Sequence, residues 1–140
     1  MCNLGEQTLL WYEAWGVGDI RLATWPGDRF GYFEVFSIAG HCISRPICVD
    51  GSARVYANVG GVSEHSSLTV ELLDAQFRPL PGYCGEDCVP LRVAGLRQPV
   101  VWRDKDVIRG IDGAFRLKVS FGGLRPEDAK LYALYVTEAV

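Results

Sequence analysis

The segment Arg116-Leu117-Lys118-Val119-Ser120-Phe121 alternates strictly between polar and apolar side chains. A strand sends successive side chains to opposite faces, so Leu117, Val119 and Phe121 share one face and Arg116, Lys118 and Ser120 the other. Wound as a helix, the same residues would carry Val119 to the side away from Leu117 and Phe121, and no single face could be buried. The alternation commits the segment to a half-buried antiparallel strand. Arg54-Val55-Tyr56-Ala57-Asn58-Val59 repeats it, with Val55, Ala57 and Val59 inward. Further runs rich in β-branched and aromatic residues lie at Thr8–Glu13, Asp19–Thr24, Phe30–Ile38, Leu68–Asp74, Pro99–Arg103 and Lys130–Thr137. Glycine (16 residues) and proline (7) punctuate the chain at short intervals. Strands at this spacing predict an all-β fold, a single antiparallel β-sandwich of jelly-roll kind over residues 1–140. No helix of ordinary length competes, and Pro126-Glu127-Asp128-Ala129 predicts one turn with proline near its start. Arg78–Gln98 lacks alternation, and a loop of that length in a compact domain is usually functional or stapled.

At 140 residues the chain can bury one real core. Hydrophobic residues make up 49% and aromatic residues 11%, which excludes a disordered chain. The formal charge of −3 argues against a nucleic-acid partner, whose phosphates call for a basic stripe. There is no apolar run of ~18 residues, so membrane insertion is not expected, and no basic segment followed by an apolar stretch marks a leader.

Five cysteines are many for this length, and the count is odd. Structural zinc needs close pairs such as C-x₂-C with further Cys or His at hand. The pairs here are separated by five residues (Cys42, Cys48) and three (Cys84, Cys88), and the only histidines are His41 and His65. Disulfides in a secreted protein fit better. The nearest-neighbour pairing is Cys84 with Cys88 and Cys42 with Cys48, although cross-pairing between the two groups satisfies the same count. Cys2 is left over near a terminus, either as a free thiol or as an intermolecular disulfide joining a homodimer.

Three polar clusters are candidate sites. In Gly82-Tyr83-Cys84-Gly85-Glu86-Asp87-Cys88, Glu86 and Asp87 lie together in a loop that a disulfide would close. Such a loop offers carboxylate and carbonyl oxygens to a hard cation such as Ca²⁺; the bland alternative is Asp87 bonding turn N–H groups. Asp104 and Asp106 open a second loop, and Glu64 with His65 form a third; the bland reading of both is a solvated turn. If the strands simply alternate up and down, loops at Asp28, Asp50 and Asp74 share one end of the sandwich, where the Cys84–Cys88 loop also starts. Loops at Trp15, Glu64 and Asp104 share the other. This groups Asp28 and Arg29 with Glu86, against a rival set of Glu64, His65, Asp104 and Asp106.

Four tryptophans suit sugar recognition, because an indole face stacks on the C–H face of a pyranose while hydroxyls go to charged or amide groups. Trp11 and Trp102 read as core residues. Trp15 and Trp25 sit at strand ends beside glycine or proline, where a ring can stand exposed. Trp25, Asp28 and Arg29 are the sugar-binding candidates. No Gly-x-Ser-x-Gly elbow, His-Glu-x-x-His or P-loop is present, so enzyme chemistry is not expected.

The block from Leu68 to Tyr83, with its Asp74-Ala75-Gln76-Phe77-Arg78-Pro79-Leu80-Pro81-Gly82-Tyr83 turn, followed by Glu86-Asp87-Cys88-Val89-Pro90, resembles one found in bacterial proteins. There it belongs to the C-terminal β-sandwich attached to β-propeller glycoside-hydrolase-like domains. Weaker matches at Arg21–Thr24, Asp28–Phe30, Val100–Trp102 and Asp128–Tyr132 extend the resemblance from about Gly18 to Val136. In that family the sandwich is an accessory module and the catalytic carboxylates lie on the propeller. The resemblance therefore implies a carbohydrate-associated, non-catalytic module. Gln76-Phe77 departs from the family's Asp-Gly turn, and Cys2, Cys42, Cys48 and Cys84 are additions to its pattern. A free-standing, cysteine-containing version resembles sea-anemone-type lectins. That implies a protein binding galactose-type glycans through Ca²⁺, and the added cysteines suit a secreted one. The loop residues Glu86 and Asp87 are the expected metal ligands and Cys2 the expected link of a homodimer. Because Glu86-Asp87-Cys88 belongs to the shared block, the resemblance itself implies a structural role for Asp87. The alternatives are an accessory module of a glycoside hydrolase and a ligand-free interaction domain.

Overall fold

The computed structural model describes residues 1–36, 40–111 and 113–139. Among them are nine strands: β1 Cys2–Leu4, β2 Gln7–Glu13, β3 Ile20–Pro26, β4 His41–Ile43, β5 Ala53–Gly60, β6 Ser66–Leu73, β7 Gly95–Pro99, β8 Arg116–Gly123 and β9 Lys130–Glu138. They make three three-stranded sheets, ordered β1-β2-β3, β4-β8-β6 and β7-β5-β9, with every pair antiparallel. The chain is all-β, as its alternation predicts, and the expected turn at Pro126 is a single 3-10 turn over Pro126–Asp128.

The period-two residues decide which faces meet. Val55, Ala57 and Val59 of β5 share one buried cluster with Leu68, Val70 and Leu72 of β6 and Leu117, Val119 and Phe121 of β8. The β7-β5-β9 and β4-β8-β6 sheets are thus joined through one core. Removing each of the Val, Leu and Phe side chains from water contributes about 2 kcal/mol, and Ala57 less. Trp102 closes this core: it is 0% exposed, its indole N–H donates to the Val70 carbonyl at 2.7 Å, and its ring meets Tyr83 edge-on at 5.4 Å.

Consecutive strands β5 and β6 lie in different sheets, and β5 pairs instead with β7 and β9. Sheet membership therefore does not follow chain order, and the simple up-and-down grouping of loops fails. Asp106 bonds Arg54 at the start of β5, whereas Glu64 and His65 lie in the turn after the end of β5. The rival set of Glu64, His65, Asp104 and Asp106 is therefore not assembled.

Several strand boundaries differ from expectation. The ladder expected over Pro99–Arg103 is centred earlier, at β7, which begins inside the expected loop. Trp102 makes only isolated bridges, to Cys88 and Lys105. Short strands β1 and β4 lack enough residues to show a period. Of the run expected over Phe30–Ile38, Ser37 and Ile38 lie outside the described residues, and the part before them forms a single bridge from Phe33 to Leu131.

The β1-β2-β3 meander stands on the outer face of the β7-β5-β9 sheet. Its attachment is polar. Asn58 sits on β5 opposite to the core side, yet is 0% exposed because the meander covers it. Its amide N–H donates to the Gly27 carbonyl at 2.8 Å, and its Oδ1 accepts from Arg29 Nε at 2.9 Å. Arg29 also donates to the Val59 carbonyl at 3.0 Å and lies over the Tyr132 ring at 4.4 Å. The Tyr135 hydroxyl donates to Asp28 Oδ2 at 2.7 Å. The registers of β5 with β9 and with β7 both shift beside Asn58. Such bulges re-aim side chains, and here they coincide with the point of attachment.

Candidate functional site

Three of the residues expected to act together are separated by the sandwich itself. Asp28 and Arg29 lie on the outer face of the β7-β5-β9 sheet, held by Asn58, Val59 and Tyr135. The Cys84–Cys88 loop is tied to the other sheet: the Gly85 N–H donates to Glu71 Oε2 at 3.3 Å, and Glu71 pairs with Lys118 across β6 and β8 at 2.6 Å. Glu71 and Lys118 face away from the core, since their strand neighbours Val70, Leu72, Leu117 and Val119 face into it. Asp28 and Arg29 therefore do not meet Glu86 and Asp87.

The loop carboxylates are also unequal. Asp87 Oδ1 pairs with Arg103 at 2.6 Å, and its Oδ2 accepts the Cys84 N–H at 3.4 Å. Glu86 is exposed. Ca²⁺ takes six to eight oxygens, and no group of three or more metal-capable side chains occurs among the described residues. Asp87 works here as a turn anchor, and a cation would have to displace the Arg103 guanidinium from it. Glu86 and Asp87 would supply part of the six to eight oxygens, and the rest would have to come from backbone carbonyls or water.

The disulfides expected at Cys84–Cys88 and Cys42–Cys48 are not formed; all five cysteines, Cys2 included, are free. The sulfurs face different surroundings. Cys88 is buried in the core, where its Sγ accepts the Val70 N–H at 3.2 Å, and burial pushes its thiol pKa up. The Cys84 thiol instead donates to the Leu80 carbonyl at 3.4 Å. Cys42 faces inward opposite Val119, where desolvation raises its pKa, while Cys48 is exposed. Each sulfur is thus held by its own surroundings, Cys88 at the Val70 N–H and Cys84 at the Leu80 carbonyl.

Trp25 and Arg29 do come together. They line an open cleft of about 540 Å³ between the base of the meander and the start of β7, with Glu6, Gln7, Gly95 and Leu96. Trp25 is half-buried, its ring set against Phe30 at 4.9 Å between centroids. Asp28 faces an adjoining hollow of about 300 Å³ with Arg97 and Tyr135, and Glu6 and Leu96 border both. Asp28 itself adopts φ of 57°, a left-handed turn position that aspartate tolerates.

The meander presents a second feature that period-two reasoning passed over. Opposite pairs in the register place Cys2, Leu4, Leu9, Trp11, Ile20 and Leu22 on one face, with Gln7, Glu13, Thr24 and Pro26 among them. Of these Leu4 is 70% exposed, Trp11 51%, Ile20 80% and Leu22 51%. Trp11, expected in the core, is therefore on a surface. Trp15 and Val17 stand exposed at the tip between β2 and β3. The signal in the sequence was partial, since Leu10 and Ala23 on the other face break the alternation that Thr8, Tyr12 and Arg21 suggest. Alternation alone does not say whether an apolar face is covered.

No protein-family model, curated protein or solved structure matches the chain.

Proposed function

We propose that the chain is a non-catalytic accessory module that works against a carbohydrate-active β-domain, and that the β1-β2-β3 meander is the surface that meets it. The observation carrying this is the apolar face of Leu4, Trp11, Ile20 and Leu22, together with the exposed tip at Trp15 and Val17. Contiguous apolar patches beyond a few hundred Å² usually mark interaction sites. Single aromatic side chains bury ~150–250 Å² when covered, so this face supports an interface of useful size. The partner class comes from the resemblance of the Leu68–Pro90 block to the sandwich appended to β-propeller glycoside-hydrolase-like domains. The test is co-expression with a panel of such domains, followed by affinity capture and light scattering. A one-to-one complex is expected, and Trp11→Ser with Leu22→Ser should abolish it. Absence of any complex, from a chain that stays monomeric and binds no hydrophobic dye, would refute the proposal.

A second reading is a secreted, homodimeric, calcium-dependent lectin for galactose-type glycans. One observation favours its dimer: Cys2 is exposed on the same apolar face, so two copies packed face to face would bring their thiols together. Red-cell agglutination blocked by galactose and by a chelator, with a dimer band lost on reduction, would favour this reading over the first.

A further inference from the structure

We infer that the outer edge of β3 pairs with the β3 edge of a second copy of this chain, antiparallel about a two-fold axis at Ala23. A strand edge exposes unpaired N–H and C=O groups, and proteins usually shorten or cover it. Several edges here are treated in that way. On β6, Leu68 exchanges bonds with Leu91, the Leu72 N–H donates to the Tyr83 carbonyl at 3.0 Å, and the Leu72 carbonyl accepts from Leu80 at 2.8 Å. On β9, Leu131 exchanges bonds with Phe33. Strands β1 and β4 are three residues long. The outer edge of β3 runs for seven residues, and no segment covers it among the described residues.

The two ends of β3 show which groups that edge presents. The Gly27 N–H donates to the Glu6 carbonyl, and the Asp19 carbonyl accepts from Ala14, both on the β2 side. Bonding groups alternate sides along an antiparallel strand. Arg21, Ala23 and Trp25 therefore bond to β2, while Ile20, Leu22 and Thr24 point their N–H and C=O groups outward. Those outward groups have no partner among the described residues, and the three side chains are exposed. Pro26, which has no N–H, also falls on the outward side.

The strand is complementary to itself. Full overlap with its own reverse sets Ala23 against Ala23, Leu22 against Thr24, Arg21 against Trp25 and Ile20 against Pro26. Leu22 and Thr24 then exchange main-chain bonds, and the Ile20 N–H meets the Pro26 carbonyl. The Ala23 and Arg21–Trp25 pairs are the non-hydrogen-bonded ones, where side chains come closest. The small alanine fits the axis, and each guanidinium meets an indole face that Phe30 already holds in place. Arg21 is the only charge on β3 and never opposes its like. Each sandwich is attached at the Gly27 end, so the antiparallel pairing sets the two bodies at opposite ends of one continuous sheet.

This isologous pairing rests on neither reading of the function above. It leaves the Trp11 face open to a partner. With strand order β1-β2-β3-β3-β2-β1, about 24 Å separate the two β1 strands, so the assembly excludes a disulfide between two Cys2 residues.

The experiment is sedimentation velocity of the full chain over a concentration series, with reductant present. A dimer is expected, unchanged by Cys2→Ser and by Trp11→Ser. A charge on a two-fold axis meets itself, so Ala23→Lys and Ala23→Glu should each weaken the dimer by more than about tenfold. An equimolar mixture of the two variants should recover it, because lysine then opposes glutamate, and that recovery shows both variants to be folded. A monomer up to millimolar concentration, a dimer untouched by the axis variants, or no recovery in the mixture would overturn the inference. So would loss of the dimer in Cys2→Ser or Trp11→Ser, which would assign it to the apolar face instead. A monomer that still captures a propeller domain would refute the edge pairing and leave the docking proposal standing.

Discussion

Replacing Asn58 with alanine should release the meander before it melts the sandwich. Asn58 is fully buried and joins two parts of the chain by its amide alone. Alanine leaves the Gly27 carbonyl and Arg29 Nε without their partners. Each orphaned buried group costs about 1–3 kcal/mol. Their sum is about 2–6 kcal/mol, and because Arg29 keeps the Val59 carbonyl a value in the lower half, roughly 3 kcal/mol, is expected. A tenfold change in an equilibrium corresponds to about 1.4 kcal/mol, so the open form of the meander should rise about a hundredfold. Hydrogen exchange read by mass spectrometry separates the two regions. Peptides covering Gln7–Pro26 should lose about two decades of protection, while those covering Leu68–Leu73 and Leu117–Phe121 should change much less. Equal loss in both regions would refute the reasoning, because it would make Asn58 an ordinary core residue.

Tyr135 sits beside Asp28, and burial, then the bond to Asp28, raises its pKa above the ordinary 10. The neutral phenol is therefore favoured in the folded state, so its contribution is intact below pH 10 and is lost as pH rises through the folded-state value. Protection of the meander should fall in that alkaline window, and Tyr135→Phe, monitored the same way, should flatten the fall. Trp102→Phe should cost about 2–3 kcal/mol in denaturant unfolding, from lost ring volume and an unpaired Val70 carbonyl; a change below 0.5 kcal/mol, the ordinary range for surface substitutions, would refute the packing described. Reductant should leave the melting temperature unchanged, because the thiols are free; a drop would restore the Cys84–Cys88 or Cys42–Cys48 bond. Phe77 holds φ of 63°, so Phe77→Asn should not destabilise the Asp74–Arg78 turn, despite losing the stack of Arg116 on the ring; a loss beyond ~1 kcal/mol would refute this.

Much of the two-sheet core was legible because strand alternation is a local property. Val55, Ala57, Val59, Leu117, Val119 and Phe121 announced their inward face, and each is buried. The association of Trp25 with Arg29 was legible for the same reason: four residues apart in a turn, they cannot be far from each other. Partnerships between distant segments were not. Nothing in the sequence says that Arg103 pairs with Asp87, one of the two carboxylates expected to hold calcium.

The chain's own residues thus determined that it is β and which side chains face inward along β5 and β8. Tertiary structure decided what those faces meet. It joined β5 to β9 rather than to β6, and it set Asp28 and Glu86 on opposite sides of the sandwich. It also turned paired cysteines to different environments and left Trp11 and Leu22 on an open face. The physical reason is that period and propensity act within a few residues. Sheet order, burial and charge pairing depend on segments as far apart as Asp28 and Tyr135, whose meeting is fixed only when the whole core closes.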